Sequence, residues 1–307
     1  MILVTGANGF IGRSLAEHLT HSGSKLRILT RGGSNNIPML GREVDVWQGD
    51  LNFASSLSGI AESIETVYHL AGEFRNRKRF TSVNYHGTQN LLAQCQSSGV
   101  RRFLYLSSAG VVGARGEKVV VDESHPAIPY SEYEISKYDG EQAALKQNNQ
   151  RGMRVSIIRP TIVYGENFKN KNFLKWLRAI KKRRFFQLGR DFVSSYVYVG
   201  DVVAACLAVA NDPRSGGEVY FVNEPIPLSI FIGELSKALG VDTPPEFPNF
   251  FGSVAKTVLK RTGRFSSLYN YTNYSMNKLT DLGFVLPFGY REGVHRTVKW
   301  YREKSLL

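Results

Sequence analysis

Apolar residues in the first half of the chain follow two alternating rhythms. Short β-branched runs at Ile2–Thr5, Leu26–Thr30, Val44–Gln48, Thr66–Leu70, Arg102–Leu106 and Arg154–Ile158 predict strands, the first of them buried. Between them lie longer segments with helical spacing: Ile11–His21, Val83–Gln96 and a stretch from about Tyr133 to Gln147. In the first of these, Ile11, Leu15 and Leu19 share one face. Strands alternating with helices predict an α/β fold, a doubly wound parallel Rossmann sheet with helices on both faces. Its ligand crevice is then expected at the C-terminal ends of the strands.

After Arg159-Pro160 the rhythm changes. Phe173–Ile180 reads as a helix ending in Lys181-Lys182-Arg183-Arg184, Ser195–Val199 as a strand, Val202–Ala210 as a helix closed by Pro213, and Val219–Val222 as a strand. Beyond Pro225 the pattern is helices broken by Pro- and Gly-rich loops. The expected division is a dinucleotide-binding domain over 1–168, to which 194–223 returns. A smaller C-terminal substrate-binding lobe is formed from 169–193 and 224–307.

Length and composition narrow the class. The chain has 307 residues, 42% hydrophobic and 21% charged, which excludes disorder and coiled coil. Lys and Arg number 39 against 26 Asp and Glu, a net charge of +13 that favours an anionic partner without choosing one. Cys95 and Cys206 both fall in helical patterns, which excludes a disulfide scaffold and suits a reducing cytoplasm. Neither a metal cluster nor a nucleic-acid motif is expected. The longest apolar run, Val202–Ala210, is far short of the ~18 residues that span a bilayer. The apolar N-terminus lacks a basic flank and reads as a strand and not a signal peptide. Peripheral membrane contact and a homodimer stay open.

Candidate chemistry begins at Gly6-Ala7-Asn8-Gly9-Phe10-Ile11-Gly12, between the first strand and the first helix. Glycines there allow a tight turn and a close approach of backbone to a pyrophosphate, which the helix N-terminus then faces. Arg31, at the end of the second strand, stands where a carboxylate would bind the ribose of NAD. An arginine there can instead meet the 2′-phosphate of NADP, or be a solvated surface residue. Asp50, in Gly49-Asp50-Leu51, is either an acceptor for the adenine amino group or a helix cap. Expected cofactor contacts are thus Gly6, Asn8, Gly9, Phe10, Ile11, Gly12, Arg31, Asp50 and Leu51, with NADP as cofactor and NAD as the second choice.

Tyr133-Glu134-Ile135-Ser136-Lys137 places a phenol and an ammonium at i and i+4 on one helix face. Such an ammonium can lower the phenol's pKa from ~10 toward neutrality, so that it exchanges a proton with a carbinol or carbonyl. Ser108, after the fifth strand, can hydrogen-bond the same substrate oxygen. Ser108, Tyr133 and Lys137 form the expected catalytic set.

Taken in order, Thr5-Gly6-x-x-Gly9-x-x-Gly12, Asp50, His69-Leu70-Ala71-Gly72, Asn84, Ser107-Ser108-Ala109, Tyr133-x-x-x-Lys137 and Arg159-Pro160-Thr161-Ile162-Val163-Tyr164-Gly165 make the chain resemble an extended short-chain dehydrogenase/reductase of the NAD-dependent epimerase/dehydratase family. The match runs from Thr5 through Gly165 and more loosely to Val222. The resemblance implies that Leu70, Ala71 and Gly72 line the cofactor path and that Lys137 also binds the nicotinamide ribose. It adds Asn84, Arg159, Pro160 and Ile162 to the cofactor residues, and Tyr164 and Asn172 beside Ser108 to the substrate residues. Many nucleotide-sugar members carry an arginine where this chain has Ser194, so Arg190 is the substitute donor for a diphosphate. The basic run Arg75–Arg79 reads as a solvated loop or one facing phosphate. Lys181–Arg184 reads as a helix C-terminus or a binding site, and Phe250–Arg264 as a substrate-lobe helix or a membrane-surface face.

The leading expectation is an NAD(P)-dependent oxidoreductase of a secondary alcohol or ketone, as a nucleotide-sugar 4-epimerase or 4-keto-reductase. A dehydratase would want an acidic pair beside the serine, where this chain has Ser108-Ala109-Gly110. The rivals are a dehydrogenase of a sterol-like alcohol and a non-catalytic NADP sensor. Retention of Tyr133 and Lys137 argues against the sensor.

Overall fold

The computed structural model describes residues 1–32, 44–113, 119–168, 170–188, 193–247 and 273–307. Its centre is a seven-stranded parallel sheet in the order β11-β7-β5-β4-β1-β2-β3. These strands are β1 (Ile2–Thr5), β2 (Leu26–Thr30), β3 (Val44–Gln48), β4 (Thr66–His69), β5 (Arg102–Leu106), β7 (Arg154–Pro160) and β11 (Val219–Val222). A two-residue strand β6 (Val120–Val121) lies outside it. The chain order reverses between β1 and β4, which pair through Thr5↔His69, and opens a crevice at their C-terminal ends.

Alternation along each central strand feeds two cores. On one face Val4, Ile28, Leu104 and Leu106 pack against α1 (Phe10–His21) and α5 (Val199–Asn211) through Leu15, Leu19, Val202 and Cys206. On the other, Leu3, Leu29, Phe103, Tyr105 and Ile157 meet Leu91, Leu92 and Cys95 of α2 (Gly87–Ser97) and Ala143 and Ala144 of α3 (Glu132–Leu145). Each buried leucine or phenylalanine contributes about 1.5–3 kcal/mol, so this two-sided burial dominates the stability. Cys95 and Cys206 lie in the two opposite cores as free thiols, both fully buried. The expected helix over Val83–Gln96 begins instead as a π-helical turn, Thr81–His86, before α2.

A third, aromatic core lies beside the sheet. It packs α4 (Lys171–Lys181) and α6 (Leu228–Leu239) with a small sheet of β8 (Ile162–Tyr164), β10 (Val193–Tyr198) and β12 (Pro225–Pro227). The strands β9 (Gln187–Leu188) and β13 (Glu246–Phe247) pair with each other, and β14 (Asn273–Tyr274) pairs with β6. Phe173, Trp176, Leu177 and Ile180 form the inner face of α4, while Tyr196 stacks on Phe231 at 5.0 Å with 2° between the rings. The last helix, α7 (Gly289–Glu303), is joined to this core by Val294, Val298 and Tyr301. Its N-terminus is held by Asp201 of α5, whose carboxylate accepts the Phe288 and Gly289 amides at 2.9 and 3.1 Å. The carboxylate answers unpaired helix amides at the positive end of the dipole, and those bonds offset part of a burial cost that still raises its pKa.

Candidate active site

The turn from β1 into α1 is built against the end of β4. Gly6 has φ +77°, and a Cβ on it would lie 2.6 Å from the Ala71 amide nitrogen. One on Gly12 would lie 2.2 Å from the Gly6 carbonyl oxygen. Both positions therefore require glycine. Gly9 stands at the N-cap and provides no side-chain cap, and the first turn of α1 holds no acid. The amides of Phe10, Ile11 and Gly12 are thus left as a donor set that fits an anion such as a dinucleotide's pyrophosphate. Asn8 Nδ2 donates to Thr30 Oγ1 at 3.2 Å, which ties this turn to the end of β2, where Arg31 is exposed.

Two other expected cofactor residues are engaged by the protein. Asp50 Oδ1 accepts both the backbone and the side-chain nitrogen of Asn52 at 3.0 Å, and Oδ2 faces Arg79 at 3.8 Å. Leu51 is a core residue packed under Gly87.

Below the crevice runs a chain of hydrogen bonds that sequence patterning did not reveal. Thr88 Oγ1 donates to the Asn84 carbonyl at 2.7 Å, so its one proton is used. His69 Nε2, 2.9 Å from Thr88 Oγ1, must therefore be the donor in that contact. Nδ1 is then an acceptor and takes the Thr5 hydroxyl proton across 2.6 Å, while Thr5 Oγ1 accepts the Ala71 amide at 3.2 Å. Burial and the charge of Lys137 push the His69 pKa down to about 3, in keeping with this neutral ring. The available signal was the Thr5↔His69 register.

Asn84, 1% exposed, donates to the Glu73 carbonyl and Ser136 Oγ, both at 2.9 Å, and accepts the Glu73 amide at 2.7 Å. Its side chain fastens the end of the Leu70-Ala71-Gly72 strip to α3. The loop beyond is closed by Arg77, which pairs with Glu132, and by Glu73, which accepts three successive backbone amides.

Helix α3 starts at a capping box, in which Ser131 Oγ accepts the Glu134 amide and the Glu134 carboxylate accepts the Ser131 amide. That start sets the phase that turns Tyr133 and Lys137 inward. Lys137 is 4% exposed, donates to the Leu106 carbonyl at 2.6 Å, and lies 4.1 Å from the centre of the Tyr105 ring. A Cβ on Gly72 would be 3.7 Å from its Nζ, so the ammonium borders the cofactor strip. Burial pushes the Lys137 pKa down to about 7, partly opposed by Glu141 one turn along. Glu141, fully buried, is in turn clamped by both guanidinium arms of Arg159. Arg159 thereby serves the interior of α3 and not the open crevice.

Tyr133 packs edge-on to Phe80, with ring centres 5.7 Å apart. Burial and the neighbouring Glu134 carboxylate push its phenol up to about 12, the reverse of the direction expected from the Tyr-x-x-x-Lys spacing. The reason is local: the Lys137 ammonium is turned to the Leu106 carbonyl and the Tyr105 ring. Ser108 Oγ accepts the Gly110 amide at 3.2 Å, which leaves its proton for another acceptor. A Cβ on Gly110 would lie 3.4 Å from Ser108 Oγ and 3.1 Å from Glu134 Oε1, so the serine turn abuts the first turn of α3.

The expected substrate residues are less concentrated. Tyr164 has no exposure and donates to the Tyr290 carbonyl at 3.3 Å, so it belongs to the aromatic core and does not face a ligand. Asn172 is exposed in the first turn of α4, while Asn170 caps that helix. Pro160 is buried and Ile162 is 44% exposed. Arg190 and the Phe250–Arg264 stretch lie outside the described residues.

Comparison with known proteins identifies the family. The model of the NAD dependent epimerase/dehydratase family matches residues 2–223. The chain belongs to the NAD-dependent epimerase/dehydratase family. It is an enzyme of that family by descent, with an oxidoreductase or epimerase type of chemistry. Among relatives of this epimerase/dehydratase chain is the N-acetyl-alpha-D-glucosaminyl-diphospho-ditrans,octacis-undecaprenol 4-epimerase of Escherichia coli O157:H7. The two are 27% identical over 97% of this chain and 94% of that one. The 3 beta-hydroxysteroid dehydrogenase/Delta 5-->4-isomerase of Mycobacterium tuberculosis is 30% identical over 75% of this chain and 66% of that one. The fold is also that of the UDP-glucose 4-epimerase from Thermotoga maritima solved with UDP-glucose, with a TM-score of 0.78, 23% identity and 99% of each chain covered.

Proposed function

We propose that this epimerase/dehydratase-family chain interconverts a secondary carbinol and ketone on a sugar carried by a diphosphate, as a 4-epimerase or 4-keto-reductase. The carrying observation is that the Ser108 turn abuts the first turn of α3 while Lys137 of that helix reaches back to the Leu106 carbonyl at the end of β5, in the sheet whose β1 leads into the uncapped amides of α1. A bound nicotinamide would supply and take back the hydride. The amides of Phe10, Ile11 and Gly12, with Gly6, Asn8 and Gly9, hold its pyrophosphate, and Lys137 holds its ribose beside Gly72. Tyr133 Oη gives a proton to the substrate oxygen or takes one from it, while Ser108 donates a hydrogen bond to that oxygen. With a phenol at about 12 the resting group is protonated and set to donate. Acting as a base requires Lys137 to turn from the Leu106 carbonyl toward the phenol. Exposed Arg31 supports NADP over NAD as the preferred cofactor.

Support for the sugar diphosphate comes from the Escherichia coli relative, whose similarity spans nearly all of both chains. The steroid dehydrogenase relative favours a second reading, a hydrophobic alcohol held by apolar burial at ~25 cal/mol per Å². Thermal-shift screening separates them. With NADP present, UDP, GDP or dTDP should raise the melting temperature, and added salt should weaken the effect. A melt moved by apolar alcohols and by no nucleoside diphosphate would replace the first reading with the second.

A further inference from the structure

Helix α4 and the turn after it carry a charge distribution unlike the other surface helices. Between Glu166 and Asp191 the sequence contains no acid, while Lys171, Lys175, Arg178 and the run Lys181–Arg184 crowd into it. All of these cations are exposed. On the first and last helices, by contrast, cations pair with an acid one helical turn away: Arg13 with Glu17 at 2.8 Å, Arg296 with Glu292 at 2.7 Å and Lys299 with Glu303 at 3.9 Å. In α4 the i,i+4 partner of Lys171 is Lys175 and that of Lys181's neighbour Arg178 is Lys182, so like charges face each other. Arg183 does reach Asp242 at 2.9 Å, but in an exposed pair of the kind that water and salt weaken.

The opposite face of α4 is fixed. Phe173, Trp176, Leu177 and Ile180 are buried in the aromatic core, so the helix cannot roll its cations away. Immediately after the four-cation run, Phe186 is 44% exposed. No described helix is long and apolar enough to cross a membrane. A convex cationic helix face with an aromatic ring at its edge matches an anionic bilayer surface, where charge attraction and shallow apolar insertion act together. A nucleic-acid strand is better served by a basic groove with stacking platforms.

We propose that the outward face of α4, with Lys181–Arg184 and Phe186, docks the protein on anionic phospholipid membranes. The proposal is independent of the substrate assigned above. Each juxtamembrane Lys or Arg strengthens binding about fivefold, so the face as a whole suffices for reversible peripheral attachment.

Co-sedimentation of the full chain with vesicles tests it. Phosphatidylglycerol mixed with phosphatidylcholine should pull the protein down at low salt, phosphatidylcholine alone should not, and raising the salt should release it. The variant Lys181→Glu/Lys182→Glu/Arg183→Glu/Arg184→Glu should bind more than ~100-fold more weakly. A milder Lys171→Gln/Lys175→Gln/Lys181→Gln/Lys182→Gln variant should lose at least ~10-fold, and Phe186→Ser should weaken binding in a way salt does not mimic. NADP binding and melting temperature verify that each variant is folded. Failure of the parent protein to bind anionic vesicles at low salt, undiminished binding by both folded charge variants, or binding to duplex RNA but not to vesicles would each overturn the proposal.

Discussion

The Glu141–Arg159 pair is the sharpest test of how the interior of α3 is organised. Arg159 is 5% exposed and Glu141 has no exposure, and both guanidinium arms engage the carboxylate. Removing one partner strands the other as a buried charge, at a cost of about 3–5 kcal/mol. Replacing both with apolar residues of similar volume is neutral or stabilising by about 1–4 kcal/mol. Glu141→Leu and Arg159→Met should each therefore lower stability by several kcal/mol, and the double variant should cost less than either alone. Urea denaturation of the four proteins closes the cycle, with a coupling energy beyond about 2 kcal/mol expected for a contacting charged pair. Glu141 also raises the pKa of Lys137, which burial has lowered to about 7. In Glu141→Leu any kinetic pKa belonging to Lys137 should consequently move below 7. A single Glu141→Leu that costs less than about 1 kcal/mol, or strictly additive singles, would refute the reasoning.

Acid stability should carry the signature of His69. Its folded pKa of about 3 lies below the ordinary 6.5, so the unfolded chain binds the extra proton first. The contribution is complete above pH 6.5 and is lost as the pH falls from there toward 3. His69→Gln should flatten that limb of a melting-temperature profile, and an unchanged slope would contradict a ring held neutral in the fold. For the cofactor, NADPH should bind more tightly than NADH, and Arg31→Ala should remove most of an advantage of about ten- to a hundredfold, the value of a charge-assisted contact of ~1.5–3 kcal/mol. Equal affinities in the parent protein, measured by titration, would count against Arg31.

Much of the fold could be read in the sequence because its signal is periodic. The strands Ile2–Thr5, Leu26–Thr30 and Arg102–Leu106 stand where their apolar runs begin and end, and Val44–Gln48 does too, although as the edge strand it buries no residue fully. Helix edges were less visible: α5 starts at Val199, three residues before its apolar run, since Asp201 is spent inside the protein on the start of α7. The π-helical turn before α2 has no periodic signature, and it sets Asn84 against Glu73 and Ser136. Glycine spacing and the Tyr-x-x-x-Lys pair located the candidate site, since both express local geometry. Side-chain partners were not legible, because they join residues distant in sequence. Arg159 is held by Glu141, Tyr164 by an aromatic core assembled from α4, α6, α7 and the small sheet, and Lys137 by the carbonyl of Leu106. The phenol's direction of shift failed for the same reason. Spacing says that an ammonium is on the same face, but not where it points.

The central claim is that Tyr133 is the proton-transferring group of an NAD(P)-dependent carbinol–ketone conversion. Its most direct measurement is a single-turnover assay of Tyr133→Phe alongside cofactor titration. The conversion rate should fall by ~10²–10⁴-fold while affinity for NADPH stays within a few-fold of the parent, because only the phenolic oxygen is lost. A Tyr133→Phe protein that turns over at the parent rate would contradict the account.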